Sequence, residues 1–328
     1  MTTEYRHTPV LLAEVLQQLS LHDHSIIVDC TLGGAGHSRA ILERITPHGV
    51  LIGIDQDDAA LDAARDVLRL GQQGLLLKGN FGDLDELLTE AGIVAVDGFL
   101  FDLGVSSPQL DRADRGFSYH AEAPLDMRMD PASGGMSAAD VVNTYDEADL
   151  ARVLRDYGDE RWASRIAAFI TVARARRPVA TTGELVEIVK AAVPAAARRE
   201  GPHPARRTFQ ALRIEVNDEL GVLERGLRSA VPWLNPGGRI VVISYHSLED
   251  RIVKRVFTEL SRDCSCPPDL PVCACGRVPV LSVITRRPVV PTAEELERNP
   301  RARSARLRVA ERLDGAVAAA SEKGRGGA

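Results

Sequence analysis

Three aspartates stand where an acid can do chemistry. Asp29 follows the apolar run Ile26-Ile27-Val28, Asp55 ends Val50-Leu51-Ile52-Gly53-Ile54, and Asp102 ends Val96-Asp97-Gly98-Phe99-Leu100-Phe101. Runs this apolar suit parallel strands buried on both faces, and in an open α/β sheet ligands bind at the carboxyl ends of such strands. Between the first two runs lies Thr31-Leu32-Gly33-Gly34-Ala35-Gly36-His37-Ser38, a glycine turn that lets backbone approach a ligand while a helix begins. An acid about twenty residues beyond such a turn can accept hydrogen bonds from both hydroxyls of a ribose, the role expected of Asp55.

What the loop lacks narrows the ligand. A dinucleotide fingerprint needs a third small residue where Arg39 stands, and a P-loop needs Gly-Lys-Ser/Thr where Gly36-His37-Ser38 stands. S-adenosylmethionine has ribose and adenine but no phosphate, and Asp29 could neutralise the field of its ammonium and sulfonium. A dinucleotide and a purely structural turn are the alternatives for this segment. Phe81, past a third run Leu75-Leu76-Leu77, can lie against an adenine or face the core.

These residues need a sheet to position them. Val10 to Leu16 reads as an early helix, four strands follow with tips at Asp29, Asp55, Gly79 and Asp102, and the alternation stops after Asp111. Residues 112–208 show helical runs around 148–154, 161–175 and 184–193 and no strand pattern. A long helix over 209–227, a turn at Asn235-Pro236-Gly237-Gly238 and a strand over 239–244 then resume the sheet. The fold class is therefore α/β, a Rossmann-like sheet with an inserted helical domain. The expected parts are a discontinuous domain of 1–111 and 209–290, the insertion 112–208, and a basic tail 291–328 with a disordered end.

At 328 residues, 45% of them hydrophobic, the chain can bury a full core and divide into more than one domain. The net charge of -6 argues against coating nucleic acid along the whole surface. Local basic runs remain, since residues 286–312 hold eight arginines against four acids; each run is a solvated face or an RNA contact. No stretch has the length of apolar residues a membrane span needs, and the N-terminus lacks a signal pattern, so a soluble cytoplasmic protein is expected. Cys264, Cys266, Cys273 and Cys275 form C-x-C-x6-C-x-C. Zinc sites usually space their cysteines by two, so a reduced proline-rich loop is favoured over a zinc knuckle and no metal is assigned.

The turn at 31–38, the strand tip Asp102-Leu103-Gly104-Val105-Ser106-Ser107-Pro108-Gln109-Leu110-Asp111 and the run from Ser244-Tyr245-His246-Ser247-Leu248-Glu249-Asp250 to Lys254 come in order. With them the chain resembles the bacterial 16S rRNA cytosine-N4 methyltransferases, the RsmH or MraW family, over nearly its whole length. The resemblance implies methyl transfer from S-adenosyl-L-methionine to the exocyclic N4 of a cytidine in the decoding centre of 16S rRNA, on an assembled small ribosomal subunit, with no DNA partner. It implies cofactor contacts from Ala35, Gly36, His37, Asp55, Phe81, Asp102 and Gln109.

For the chemistry, Asp102 is the candidate to hold the cofactor amine or the target amine, and Ser106 or Ser107 to face the substrate. Asp102-Leu103-Gly104-Val105 lacks the prolines and aromatic of many amino-methyltransferases, so a stacking ring is sought at Phe117, Tyr119 or Tyr245. His246, at a strand's carboxyl end, is a candidate substrate contact or proton acceptor. Ser247 and Asp250 read as helix caps. A non-catalytic RNA-binding or ribosome-assembly protein with a retained cofactor pocket is the alternative function.

Overall fold

The apolar runs form a seven-stranded sheet in the computed structural model, which describes residues 9–68, 70–71, 73–105, 113–199, 203–264, 266 and 275–314. The strands are β1 (Ile26–Asp29), β2 (Val50–Asp55), β3 (Gly74–Lys78), β4 (Val96–Asp102), β5 (Leu234–Ser244), β6 (Leu281–Val283) and β7 (Arg306–Arg312). Their order is β3-β2-β1-β4-β5-β7-β6. The first five are mutually parallel, while β7 runs antiparallel to both β5 and β6. Val28, Ile52, Phe99 and Val242 face one apolar layer and Ile27, Leu51, Leu100 and Val241 the other. Burial on both faces explains the continuous apolar runs.

The chain divides into two compact units, one of residues 1–104 and 221–328, the other Val105–Leu220. The second boundary therefore falls later than the expected 208. The expected long helix is two helices, Arg206–Asn217 and Glu219–Trp233, parted at Asp218, whose backbone is left-handed (φ 45°). Phe209, Ala211 and Leu212 of the first pack into the core of the helical unit with Leu150, Leu154, Ile166, Ile170, Leu185 and Val189. Burial of that face, not sequence position, assigns the helix to the insertion. Its neighbours Glu147–Asp156, Ala163–Arg174 and Thr182–Ala192 match the helical runs, the last opened by a reciprocal Thr181–Glu184 capping box.

The segment expected as a basic tail also belongs in the sheet. β7 lies within it, with Leu307, Val309 and Ala310 buried. Several of its arginines meet the protein's own acids: Arg308 and Arg306 pair with Asp250, and Arg298 with Glu294. Asn235 to Gly238, read as a turn, are the irregular start of β5, where the register against β4 shifts. No helix among the described residues is long and apolar enough to cross a membrane.

Candidate active site

Strand order reverses at β1 and β4, with β2 and β3 on one side and β5 on the other. Crossover connections leave such a point in opposite directions and open a crevice at the carboxyl ends of the strands. Those ends carry Asp29 on β1, Asp55 on β2 and Asp102 on β4, and Tyr245 directly follows β5.

Asp29 is 1% exposed and held from its own turn. Ser38 Oγ donates to Oδ2 at 2.6 Å and the Thr31 amide to Oδ1 at 3.1 Å. Thr31 Oγ1 in turn accepts from the Asp102 amide at 2.6 Å, which ties the β1 and β4 tips together. Asp102 Oδ1 accepts from Tyr245 Oη at 2.7 Å, and Oδ2 lies 3.4 Å from His37 Nδ1. The His37 Nε2 atom is 2.9 Å from the carbonyl of Val10. A carbonyl only accepts, so Nε2 carries a hydrogen and Nδ1 is the atom turned to Asp102. A proton between Nδ1 and Oδ2 makes that contact attractive; without one, two lone pairs face each other.

Burial raises the carboxyl pKa of both Asp29 and Asp102, against the opposing effect of hydrogen bonds and the nearby His37. Burial also pushes the Tyr245 hydroxyl well above its usual range, and the Asp102 charge adds to it. Tyr245 therefore stays protonated and serves as a donor. Asp55 is raised to about 6, first by burial, with Asp57 and Asp29 adding to it and two backbone donors opposing. Those donors are the Gly33 amide on Oδ2 at 2.8 Å and the Asp57 amide on Oδ1 at 2.9 Å. Each oxygen keeps a second lone pair.

The turn wraps closely around these groups. Ala35 caps the helix Gly36–Ile45 with a left-handed backbone (φ 57°) and only 1% exposure, a conformation that costs a non-glycine residue roughly 1 kcal/mol. A Cβ on Gly36 would stand 2.6 Å from Pro9 Cγ, whereas one on Gly34 would meet nothing within 4 Å. The side left open beside Gly34, with buried Asp29 and half-buried Asp55 and Asp102 nearby, fits a ligand that brings positive charge and hydroxyl donors. S-adenosylmethionine, with its sulfonium, ammonium and ribose, is such a ligand.

The structure thus brings Ala35, Gly36, His37, Asp55 and Asp102 to the strand tips around one turn. Ser106, Ser107 and Gln109 lie outside the described residues, as does Cys273. Phe81 is half-buried against the core, edge-on to Phe101 at 5.5 Å and packed at Gly226, so the core-facing reading describes its observed contacts. His246 is the N-cap of the helix Ser247–Leu260, in a reciprocal box with Glu249 that replaces the expected Ser247–Asp250 cap. Its Nδ1 accepts from the Glu249 amide, while Nε2 sits 3.1 Å from Glu249 Oε1 without hydrogen-bond alignment. Nε2 is buried and, with Nδ1 accepting, carries the ring hydrogen. Among the ring candidates, Phe117 is buried in the helical core, Tyr119 stacks on His203 at 4.8 Å, and Tyr245 is tied by its hydroxyl to Asp102. Thr31 and Ser38 are supporting residues that the sequence left unassigned; small hydroxyl side chains flanking a glycine turn were the available signal.

The chain matches the model of the MraW methylase family over residues 4–313. It is 56% identical over 310 residues to the ribosomal RNA small subunit methyltransferase H of Geobacter sulfurreducens, covering 94% of this chain and 99% of the relative. Proteins of the same name from Symbiobacterium thermophilum (54%, covering 94% and 97%) and Heliobacterium modesticaldum (54%, covering 94% and 99%) are similarly close. The Rossmann-like sheet, the acids at its switch point and this end-to-end similarity agree, and the chain belongs to the MraW methylase family.

Proposed function

We propose that this chain methylates the exocyclic N4 of a cytidine in the decoding centre of 16S rRNA, with the assembled small ribosomal subunit as substrate. The family supplies the methyltransferase activity and S-adenosyl-L-methionine as cofactor. The observation that carries the catalytic part is Asp102 at the switch point, half-buried, pKa-raised, and held between Tyr245 and His37.

When bound, S-adenosyl-L-methionine supplies an electrophilic methyl group. A cytosine amine is a weak nucleophile because its lone pair is delocalised into the ring. Asp102 can accept a hydrogen bond from that amine through a remaining lone pair, which draws nitrogen density out of conjugation and fixes its direction. As the N–C bond forms and the S–C bond breaks, the amine becomes more acidic, and its proton passes to an acceptor. A carboxylate raised by burial is a better acceptor than an ordinary one; His246 Nε2 carries its ring hydrogen while Nδ1 accepts, so it is a candidate donor to the base. Asp29 would provide negative charge toward the cofactor's cations, and Asp55 would accept from its ribose hydroxyls. Tyr245 and the Thr31 turn keep Asp102 in one orientation. Ser106 and Ser107 on the substrate side and Gln109 on the cofactor side remain proposals from the sequence that follows β4, whereas the Phe81 ring packs on Phe101 and at Gly226.

The test is transfer of labelled methyl to small subunits lacking the modification, with naked rRNA and duplex DNA as comparisons and nucleoside analysis of the product. N4-methylcytidine in subunits, lost in Asp102→Ala even at cofactor concentrations that saturate the variant, is the expected result. Cofactor binding without transfer to any of these substrates would instead favour a non-catalytic assembly role.

A further inference from the structure

Outside the active site, a second set of reactive side chains comes together between the helix Ser247–Leu260 and β6. The Sγ atoms of Cys264, Cys266 and Cys275 all lie within 4.8 Å of one another. Sequence spacing alone disfavoured a metal here, because cysteines one residue apart depart from the usual zinc pattern; spacing does not show where the chain brings the sulfurs. Cys264 and Cys275 are 3.9 Å apart, about twice the length of a disulfide bond. Zinc–sulfur bonds of about 2.3 Å in a tetrahedron place neighbouring sulfurs about 3.8 Å apart. The Cys266 amide lies 3.3 Å from Cys264 Sγ, and a backbone donor on sulfur stabilises the thiolate that a metal needs.

The chain around the cluster is anchored without it. The Val280 amide donates to the Leu260 carbonyl at 2.9 Å, and the Arg277 guanidinium donates to the carbonyl of Glu259. The described residues that flank the thiols are thus pinned to one another, which reduces the ordering cost of collecting the thiols around an ion.

We infer that Cys264, Cys266 and Cys275 are three ligands of a zinc ion that staples the loop between this helix and the sheet's edge strand. The three described thiols carry the site; Cys273 lies outside the described residues. The site is structural: it ties the residues after the helix to those before β6 and takes no part in methyl transfer.

Elemental analysis and native mass spectrometry of the full-length protein, purified without added metal and again after incubation with zinc, test this directly. About one zinc per chain is expected, with near-complete loss in Cys264→Ser and Cys275→Ser. Cobalt substitution should give a thiolate-to-metal charge-transfer band that the same variants abolish, and both should bind S-adenosylmethionine as the parent does. Three results would overturn the site: no metal after incubation, zinc that persists in both variants, or a chain two hydrogens lighter whose cysteines resist alkylation until reduced.

Discussion

If Asp55 accepts hydrogen bonds from the cofactor ribose, cofactor affinity must follow its ionisation. Its carboxyl titrates at about 6. The cofactor's own α-amino and α-carboxyl groups ordinarily titrate near 8 and 3.5, outside the window of interest. Affinity should therefore fall as pH drops through 6, about tenfold weaker at pH 5 than at pH 7 if only ionised Asp55 binds. Near pH 6, where the free site is half protonated, binding should release about half a proton. Isothermal titration calorimetry in buffers of different ionisation enthalpy reads both quantities.

The same residue predicts the opposite sign for folding. A pKa raised about two above the ordinary aspartate value costs about 3 kcal/mol once the group is charged. Asp55 thus favours the folded state fully below its unfolded pKa of about 4, and that contribution is lost as pH rises through 6. Asp55→Asn removes this cost but offers one acceptor to two backbone amides, a loss of about 1–3 kcal/mol. Stability at pH 7 should change little, while affinity drops on the order of 10- to 100-fold through lost charged hydrogen bonds. The pH dependence should flatten with it. Affinity in the parent that is level from pH 5 to 7, or Asp55→Asn binding as tightly as the parent, would refute the ribose assignment.

Three other substitutions probe the rest of the frame. Tyr245→Phe removes the donor that lowers the Asp102 pKa, so the acid limb of the single-turnover methyl-transfer profile should move up by about one pH unit; an unmoved limb would separate Asp102 from the titrating step. Arg308→Ala leaves buried Asp250 with only Arg306 at 3.1 Å and should cost about 3 kcal/mol in urea unfolding. Burial raises the Asp250 pKa, but the two arginines hold it below the usual range; the parent should lose this stabilisation only as pH falls through that lowered pKa, and the Arg308→Ala penalty should shrink with it. Gly226→Ala gains about 1 kcal/mol of helix propensity, yet its Cβ would stand 2.7 Å from the Phe81 ring and 2.8 Å from the Phe81 carbonyl oxygen. The ring can turn but the carbonyl cannot, so overpacking of about 1–3 kcal/mol should win and lower the urea midpoint.

Local pattern made the parallel half of the sheet legible: the apolar runs of β1, β2, β4 and β5 became strands covered on both faces, while the run of β3 became a partly exposed edge strand. It failed where tertiary packing decides. Alternating Arg306-Leu307-Arg308-Val309 reads as a basic tail until Leu307 and Val309 are seen buried, with Arg308 neutralised by Asp250 from 58 positions away. The helix expected over 209–227 carries amphipathic spacing throughout, and only the left-handed backbone at Asp218 divides it. In the site, the three acids were visible because strand tips are local features. Tyr245 was visible only as an available ring, since nothing near it announces that its hydroxyl meets an aspartate 143 residues earlier.

The three acids also explain why a ligand belongs at this crevice. Asp29, Asp55 and Asp102 come from three different strands, so the parallel sheet gathers their tips at one end, and each is raised by burial. Of the charges acting on Asp102, His37 stabilises its ionised form while Asp29 and Glu249 oppose it. A fold selected for stability alone would gain by replacing such groups with apolar ones of similar size. On the proposed cofactor assignment, retaining them keeps the free site electrostatically unfavourable, and a ligand bearing two positive charges would relieve that cost on entry. Part of the affinity is then stored in the apo protein's own strain, and mutations that stabilise the free chain at these strand tips should do so at the expense of binding.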